Sequence, residues 1–330
     1  NGNQMNNDDR WRSFHMKKLM VSILMIMVVL SGCSVKKDNI DKVVENPKED
    51  AEESHGPFIE SEIKDIKILK DSVVLSADIS MGPINTKYYF HAYQNGVPIE
   101  FSFDKDGDKR ITQEITLTKE KNSYTFYMNA RSFKKGDTVN FGYGVVVNPD
   151  YFPEIIEFTR FDIMKSNVSA ICRDFNVDKD FIGNQSDKKI LDNLEWTDMK
   201  VTDDKNIISS YALDTNEKIL EQVVRNEPVN NLMVMHAKKG KLFKIFFVKD
   251  GLDANAIITF YIDHKPVMIK GDYVAGKLDY TNETFGMTSF ELEIPQDVKE
   301  GNHTFYAMIF TNSNNRKHYE NTEPRVLEVE

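Results

Sequence analysis

From Phe58 onward, apolar and polar positions alternate with a period of two. Val73, Leu75, Ala77 and Ile79 are one such run, and Ile99, Phe101 and Phe103 are another, split by Glu100 and Ser102. This period puts successive side chains on opposite faces of a strand. Tyr88 to Tyr93 forms an aromatic strand that stops at Asn95-Gly96, a dipeptide suited to a tight hairpin turn. Ile111, Ile115 and Leu117 follow a turn at Asp104 to Lys109. Tyr124, Phe126 and Met128 make a further strand. Lys134-Lys135-Gly136-Asp137 turns into Val139, Phe141, Tyr143 and Val145, and Ile155 to Ile163 reads as a closing strand. About seven short strands in roughly 105 residues is the density of an antiparallel sandwich.

The plan recurs. Tyr93-Gln94-Asn95-Gly96-Val97-Pro98-Ile99 aligns with Tyr261-Ile262-Asp263-His264-Lys265-Pro266-Val267. Lys134-Lys135-Gly136-Asp137 aligns with Lys299-Glu300-Gly301-Asn302. Lys70-Asp71 precedes an apolar strand, as Lys239-Gly240 does later in the chain. The three landmarks keep their order, and the distance along the chain between partners is nearly the same for each. They predict two copies of one β-domain, over 58–165 and 229–330. The connecting segment, 166–228, is mixed. Ser186 to Trp196 reads as a short helix with Ile190, Leu191 and Leu194 on one face. Asp214 to Asn226 has two readings. One is a helix capped by Asp214, with Glu217 three residues on and Ile219, Leu220, Val223 and Val224 as its stripe. The other is a hairpin in which Ile207 to Leu213 turns at Asp214 to Asn216 into Ile219 to Val224.

The start of the chain has a different pattern. Lys17-Lys18 precedes a mostly apolar run, Leu19 to Leu30, and then Ser31-Gly32-Cys33. The run is shorter than the ~20 apolar residues that a membrane-crossing helix needs, and its order is that of a secretory signal. Leu30-Ser31-Gly32-Cys33 resembles the lipobox of bacterial lipoprotein precursors. The resemblance covers residues 16–33. It implies a diacylglycerol on the Cys33 sulfur, cleavage before Cys33, and attachment to the extracytoplasmic face of a bacterial cell membrane. Residues 1–32 are then leader and signal peptide. Residues 33–57 are the lipidated cysteine and an acidic tether, too poor in large apolar side chains to fold. Two acyl chains give stable attachment, at about 0.8 kcal/mol per buried methylene.

Charge narrows the partners. The chain carries a net charge of −10, and the leader and signal segment contributes four basic and two acidic side chains to it. An exported chain this acidic is poorly suited to nucleic acid, whose phosphates need clustered lysine and arginine. Of two cysteines, Cys33 goes to the lipid, so Cys172 is left without an intramolecular disulfide partner. Richness in Lys, Asn, Asp and Ile suits a low-GC Gram-positive source.

Motifs with chemistry are few. Asp104-Lys105-Asp106-Gly107-Asp108-Lys109-Arg110-Ile111 resembles the start of an EF-hand calcium loop, which implies Asp104, Asp106 and Asp108 as cation ligands. It departs from that loop at Lys109, where glycine belongs, and at Ile115, where a bidentate glutamate belongs. Strand-like flanks replace the helix pair, so an acidic hairpin tip is the favoured reading and calcium is not. The seven histidines show no metal spacing, and no Gly-x-Ser-x-Gly elbow, dinucleotide fingerprint or phosphate loop is present. Tyr151 and Phe152, between Pro149 and Pro153, are candidates for a binding loop or for an end plug of the core. Trp196 is a candidate for a binding residue or for a wedge against a sandwich.

The expected fold class is mainly β: two antiparallel immunoglobulin-like β-sandwiches with a mixed connecting segment. In plan it resembles bacterial immunoglobulin-like and fibronectin type III modules. The expected function is a lipid-anchored, non-catalytic surface binding or scaffold protein for an extracellular protein or glycan. The alternatives are a solute-binding subunit of an importer and an accessory part of a cell-wall-acting enzyme.

Overall fold

The computed structural model describes residues 58–119, 121–150, 167–183, 189–199, 211–224, 234–249, 255–280, 285–313, 316–322 and 324–330. Among the described residues, the first sandwich has nine strands. They are β1 (Phe58–Ile68), β2 (Val73–Gly82), β3 (Lys87–Gln94), β4 (Val97–Ile99), β5 (Phe101–Ser102), β6 (Thr112–Thr116), β7 (Lys121–Met128), β8 (Thr138–Val147) and β9 (Asn167–Asn176). One sheet runs β1-β2-β7-β5. The other runs β4-β3-β8-β9, with β6 also on β3.

The second sandwich starts with β10 (Lys189–Leu191), β11 (Thr197–Met199), β12 (Tyr211–Asp214) and the helix α1 (Glu217–Val224). It continues with β13 (Val234–Ala237), β14 (Leu242–Lys249), β15 (Ala256–Ile262), β16 (Lys265–Val267) and β17 (Tyr273–Leu278). It closes with β18 (Phe285–Glu293), β19 (Gly301–Ser313), β20 (Arg316–Asn321) and β21 (Arg325–Val329). Its sheets run β11-β18-β14-β12 and β10-β17-β15-β19-β21-β13, with β16 on β15 and β20 on β19.

The two halves share their register. Tyr93 pairs with Pro98 as Tyr261 pairs with Pro266. The order β1-β2-β7 corresponds to β12-β14-β18, and β6-β3-β8 to β17-β15-β19. Gly136 and Gly301 both have left-handed backbone, at φ 92° and 121°. Each sandwich has its own core. The first is built on Leu75, Phe90, Phe126 and Phe141, and the second on Ile245, Phe260, Phe290 and Phe305.

The connecting segment is divided between the sandwiches. β9 pairs along its whole length with β8, so the first sandwich takes in residues past 165. Ser186 to Trp196 is not helical where it is described. β10 pairs with β17, and β11 with β18, because the extended backbone there completes two sheet edges. Of the two readings of Asp214 to Asn226, the helix is the one formed, but its cap is Asn216. The Asn216 Oδ1 accepts the Lys218 N–H at 3.1 Å, while Asp214 Oδ1 accepts the Asn216 N–H at 2.9 Å in the turn before. Leu220 seals α1 onto Met199, Val248, Phe285 and Met287. The segment 155–163 lies outside the described residues.

Burial separates outer sheets from inner ones. β2 alternates buried and half-buried positions along most of its length. In β3 every residue after Lys87 is buried, and in β8 every residue after Thr138. A strand with both faces covered loses the alternation of a half-solvated one. Phe90 and Ala92 face the first core, whereas His91 and Tyr93 face the second sandwich. The described residues thus form four β-layers, with the β3-β8 and β15-β19 sheets face to face in the middle.

The outer edge is protected. β1 is an edge strand with exposed Glu60, Glu62, Lys64 and Lys67 and a register shift between Ile63 and Asp65. Arg173 Nη1 donates to the carbonyls of Ile63 at 3.2 Å and Lys64 at 3.3 Å. Charge, a bulge and an arginine cover make a poor template for another strand.

Candidate functional site: the joint and its clefts

The middle of the joint is a buried cluster of Tyr93, Tyr261, Tyr306 and Met308. The Tyr93 hydroxyl donates to Met308 Sδ at 3.1 Å, so the Tyr261 hydroxyl donates to Tyr93 at 2.9 Å. Tyr261 and Tyr306 stack at 5.2 Å with 7° between ring planes. Beside them, His91 Nε2–H donates to the His264 carbonyl at 2.8 Å, and His264 Nδ1 meets the Tyr306 hydroxyl at 3.1 Å. Burial pushes the Tyr93, Tyr261 and Tyr306 hydroxyls well above the usual phenol range. Burial likewise lowers His91 to about 3 and His264 to about 4, so both rings are neutral near neutral pH.

Tyr93 and Tyr261 hold equivalent positions in the two sandwiches, and they touch each other. Contact between equivalent residues is the mark of an approximate two-fold relation. The turns beside them repeat it. Asn95 and Gly96 have φ 49° and 79°; Asp263 and His264 have φ 46° and 62°. Asn95 Oδ1 accepts the Asn140 N–H at 2.8 Å, and Asp263 Oδ1 accepts the Thr304 N–H at 3.1 Å. Only glycine fits at Gly96, because a Cβ there would sit 2.5 Å from Phe310 Cβ.

Each turn borders a cleft at the seam. One, of about 550 Å3, lies between Asn95 and Val97 on one side and Ala256, Ile257 and Phe310 on the other. Its charged lining among the described residues is Arg131, Lys277 and Lys317. The Asn140 Oδ1 beside it is a buried acceptor without a donor among the described residues. The opposite cleft, of about 630 Å3, lies between Asp263 and Lys265 and the first sandwich's Tyr89 and Asp150, and Asp297 and His303 also line it. His303 Nδ1 is 2.6 Å from Asp263 Oδ2. Both volumes are in the range of small-ligand sites.

Of the residues singled out from sequence, Trp196 lines a third cleft. Its ring is half-buried, packed on the second core and 5.0 Å from Tyr280. It therefore serves as a wedge and as a cleft wall at once. Asp104, Asp106 and Asp108 are exposed at the tip of a hairpin-like loop. Asp108 pairs with Arg110 at 3.3 Å, and the Asp104 backbone closes on Ser102 Oγ. Among the described residues, no three His, Cys, Asp or Glu side chains are grouped to hold a metal ion. Cys33, Tyr151 and Phe152 lie outside the described residues. Sequence reading missed the joint, although Tyr93 and Tyr261 at one repeat spacing were its available signal.

No family model matches the chain, and no curated protein does. Among solved structures, it is similar to the tip adhesin CupB6 of Pseudomonas aeruginosa at 7% identity, over 83% of this chain and 98% of that one, with a TM-score of 0.23. The major pilin subunit BcpA of Bacillus cereus matches at 12% identity, over 73% and 69% of the two chains, with a TM-score of 0.24. A family 123 glycoside hydrolase of Clostridium perfringens matches at 8% identity over 37% of this chain, with a TM-score of 0.22. That match spans only 27% of the hydrolase. The mainly β, immunoglobulin-like class rests on the strands and sheets themselves.

Proposed function

We propose that this chain is a lipid-anchored, non-catalytic binding protein of the bacterial cell surface. The observation that carries the reading is the joint. Two sandwiches docked through buried tyrosines and histidines form one body, and they hold clefts at fixed geometry where their turns meet. Rigid sheets that position loops and seams suit binding, which gains from groups ordered in advance. The Leu30-Ser31-Gly32-Cys33 segment supports placement at the outer face of the membrane, with residues 34–57 as tether. Among the described residues, no helix is long and apolar enough to cross a membrane.

The test is fractionation of cells expressing the whole chain and its Cys33→Ala variant. The variant should stay uncut or leave the membrane fraction. Equal retention of both would remove the anchor from the reading. Hydrolysis of peptidoglycan or of a glycan panel by the purified chain, lost on changing one acidic residue, would overturn the non-catalytic part.

A further inference from the structure

The third cleft, of about 490 Å3, is built on the short run between β10 and β11. Asn193 has left-handed backbone, at φ 57°. Leu191, Leu194 and Trp196 then pack on the second core, and Asp192 and Asn193 stay exposed. Tyr280 supports the Trp196 ring at 5.0 Å, with 34° between the planes. Lys277 and Asp279 form an ion pair on the far wall. The cleft is therefore lined by an aromatic ring braced by Tyr280, by two carboxylates and by an amide.

This set matches one ligand chemistry. An indole has an apolar face and one polar edge, and a sugar ring has an apolar face of C–H groups edged by hydroxyls. A carboxylate accepts from hydroxyls, and an asparagine amide both donates and accepts. Two carboxylates, Asp192 and Asp279, stand against one cation, Lys277, so an acidic sugar would meet net repulsion. Lys277 is shared with the seam cleft, where Arg131 and Lys317 add positive charge, so the preference for a neutral ring belongs to the Trp196 cleft.

We propose that this cleft seats a neutral pyranose ring of a glycan, stacked on Trp196 with its hydroxyls bonded to Asp192 and Asn193. The proposal rests on the surface-binding reading above and names its ligand class. The test uses the whole chain with Trp11→Phe, which leaves Trp196 as the only indole of the two in the sequence. Its emission is followed during titration with cellohexaose, chitohexaose, maltohexaose and, as the acidic control, the single ring galacturonate beside its neutral counterpart galactose. At least one neutral oligosaccharide should shift the emission saturably, and galacturonate should not shift it more than galactose does. Asp192→Ala should weaken that response about tenfold, the scale of one lost hydrogen bond to a charged group. Its melting temperature should not move, because Asp192 is exposed. Silence with all three neutral oligosaccharides up to about 10 mM, the weak end of useful affinity, would overturn the proposal. So would a stronger response to galacturonate than to galactose, or equal affinity in Asp192→Ala. Membrane retention in the Cys33→Ala experiment tests the anchor separately, so a silent Trp196 beside normal anchoring removes this seat and leaves the broader reading standing.

Discussion

Lowering the pH from 8 to 5 should loosen the joint before either sandwich melts. His91 and His264 are 1% and 3% exposed, and burial lowers them from 6.5 to about 3 and about 4. The groups facing them include Tyr306, Tyr261, Asp263 and Asp150; the two carboxylates partly offset the burial cost at His264. The sign follows from linkage. A base with a depressed folded value binds its proton first in the opened state. Its stabilisation is therefore intact above pH 6.5 and is lost as the pH falls toward the folded value. At pH 5 each histidine forfeits about 2 kcal/mol, or about 4 kcal/mol together; below both folded values the sum reaches about 8 kcal/mol. The assay is urea denaturation at pH 8, 7, 6 and 5, beside a His91→Gln/His264→Asn variant. Glutamine keeps an N–H for the His264 carbonyl, and asparagine tolerates the left-handed backbone at position 264. The wild type should lose stability steeply below pH 6.5, and the variant should lose about 4 kcal/mol less by pH 5. Parallel curves for the two proteins would refute the assignment of the pH dependence to the joint.

The tyrosine pair can be tested by a double-mutant cycle. Tyr93→Phe leaves the buried Tyr261 hydroxyl without its acceptor and should cost about 1–3 kcal/mol; the Tyr93→Phe/Tyr261→Phe double variant should cost less than the two singles summed, and additivity would mean the hydroxyls do not interact. Gly96→Ala should destabilise by about 2 kcal/mol in chemical denaturation, from left-handed strain and the clash with Phe310, whereas a neutral result would contradict the turn geometry. Calcium should leave the melting temperature unchanged relative to chelator, because Asp104, Asp106 and Asp108 are not gathered around a point; a stabilisation of about 2.7 kcal/mol at a hundredfold excess over the dissociation constant would show that they close on an ion.

Much of the fold was legible because outer strands and turns carry local signals. Val73 to Ile79 alternates because one of its faces is less covered, and Asn95-Gly96 turns because both residues accept positive φ. The inner strands hid their role. The outward face of β3 and β15 bears His91, Tyr93, Thr259 and Tyr261, residues that also suit a solvated surface, so nothing local marks them as buried. The helix expected over Ser186 to Trp196 did not form at β10 because Ile190, Leu191 and Leu194 fit either period over so short a span. Trp196 was legible as a candidate, but its cleft depends on Tyr280, Lys277 and Asp279, which are remote in sequence. Asn216 outcompeted Asp214 as the helix cap because Asp214 ends β12, two residues too early.

The approximate two-fold through Tyr93 and Tyr261 also bears on how the seam clefts can change. In a dimer of identical chains, a substitution in one cleft appears in its mate at the same moment, and selection sees only the pair. Here both copies lie on one chain, so each cleft can drift alone while the tyrosines keep the halves together. The outcome is visible in the described linings. One cleft has Asn95 and Gly96 at its turn and arginine and lysines around it. Its counterpart has Asp263 and His264 at the same turn, with Asp150, Asp297 and His303 set among Lys265 and Lys299. Symmetry persists in the scaffold, where it holds the body together, and has been lost at the rims, where specificity can diversify.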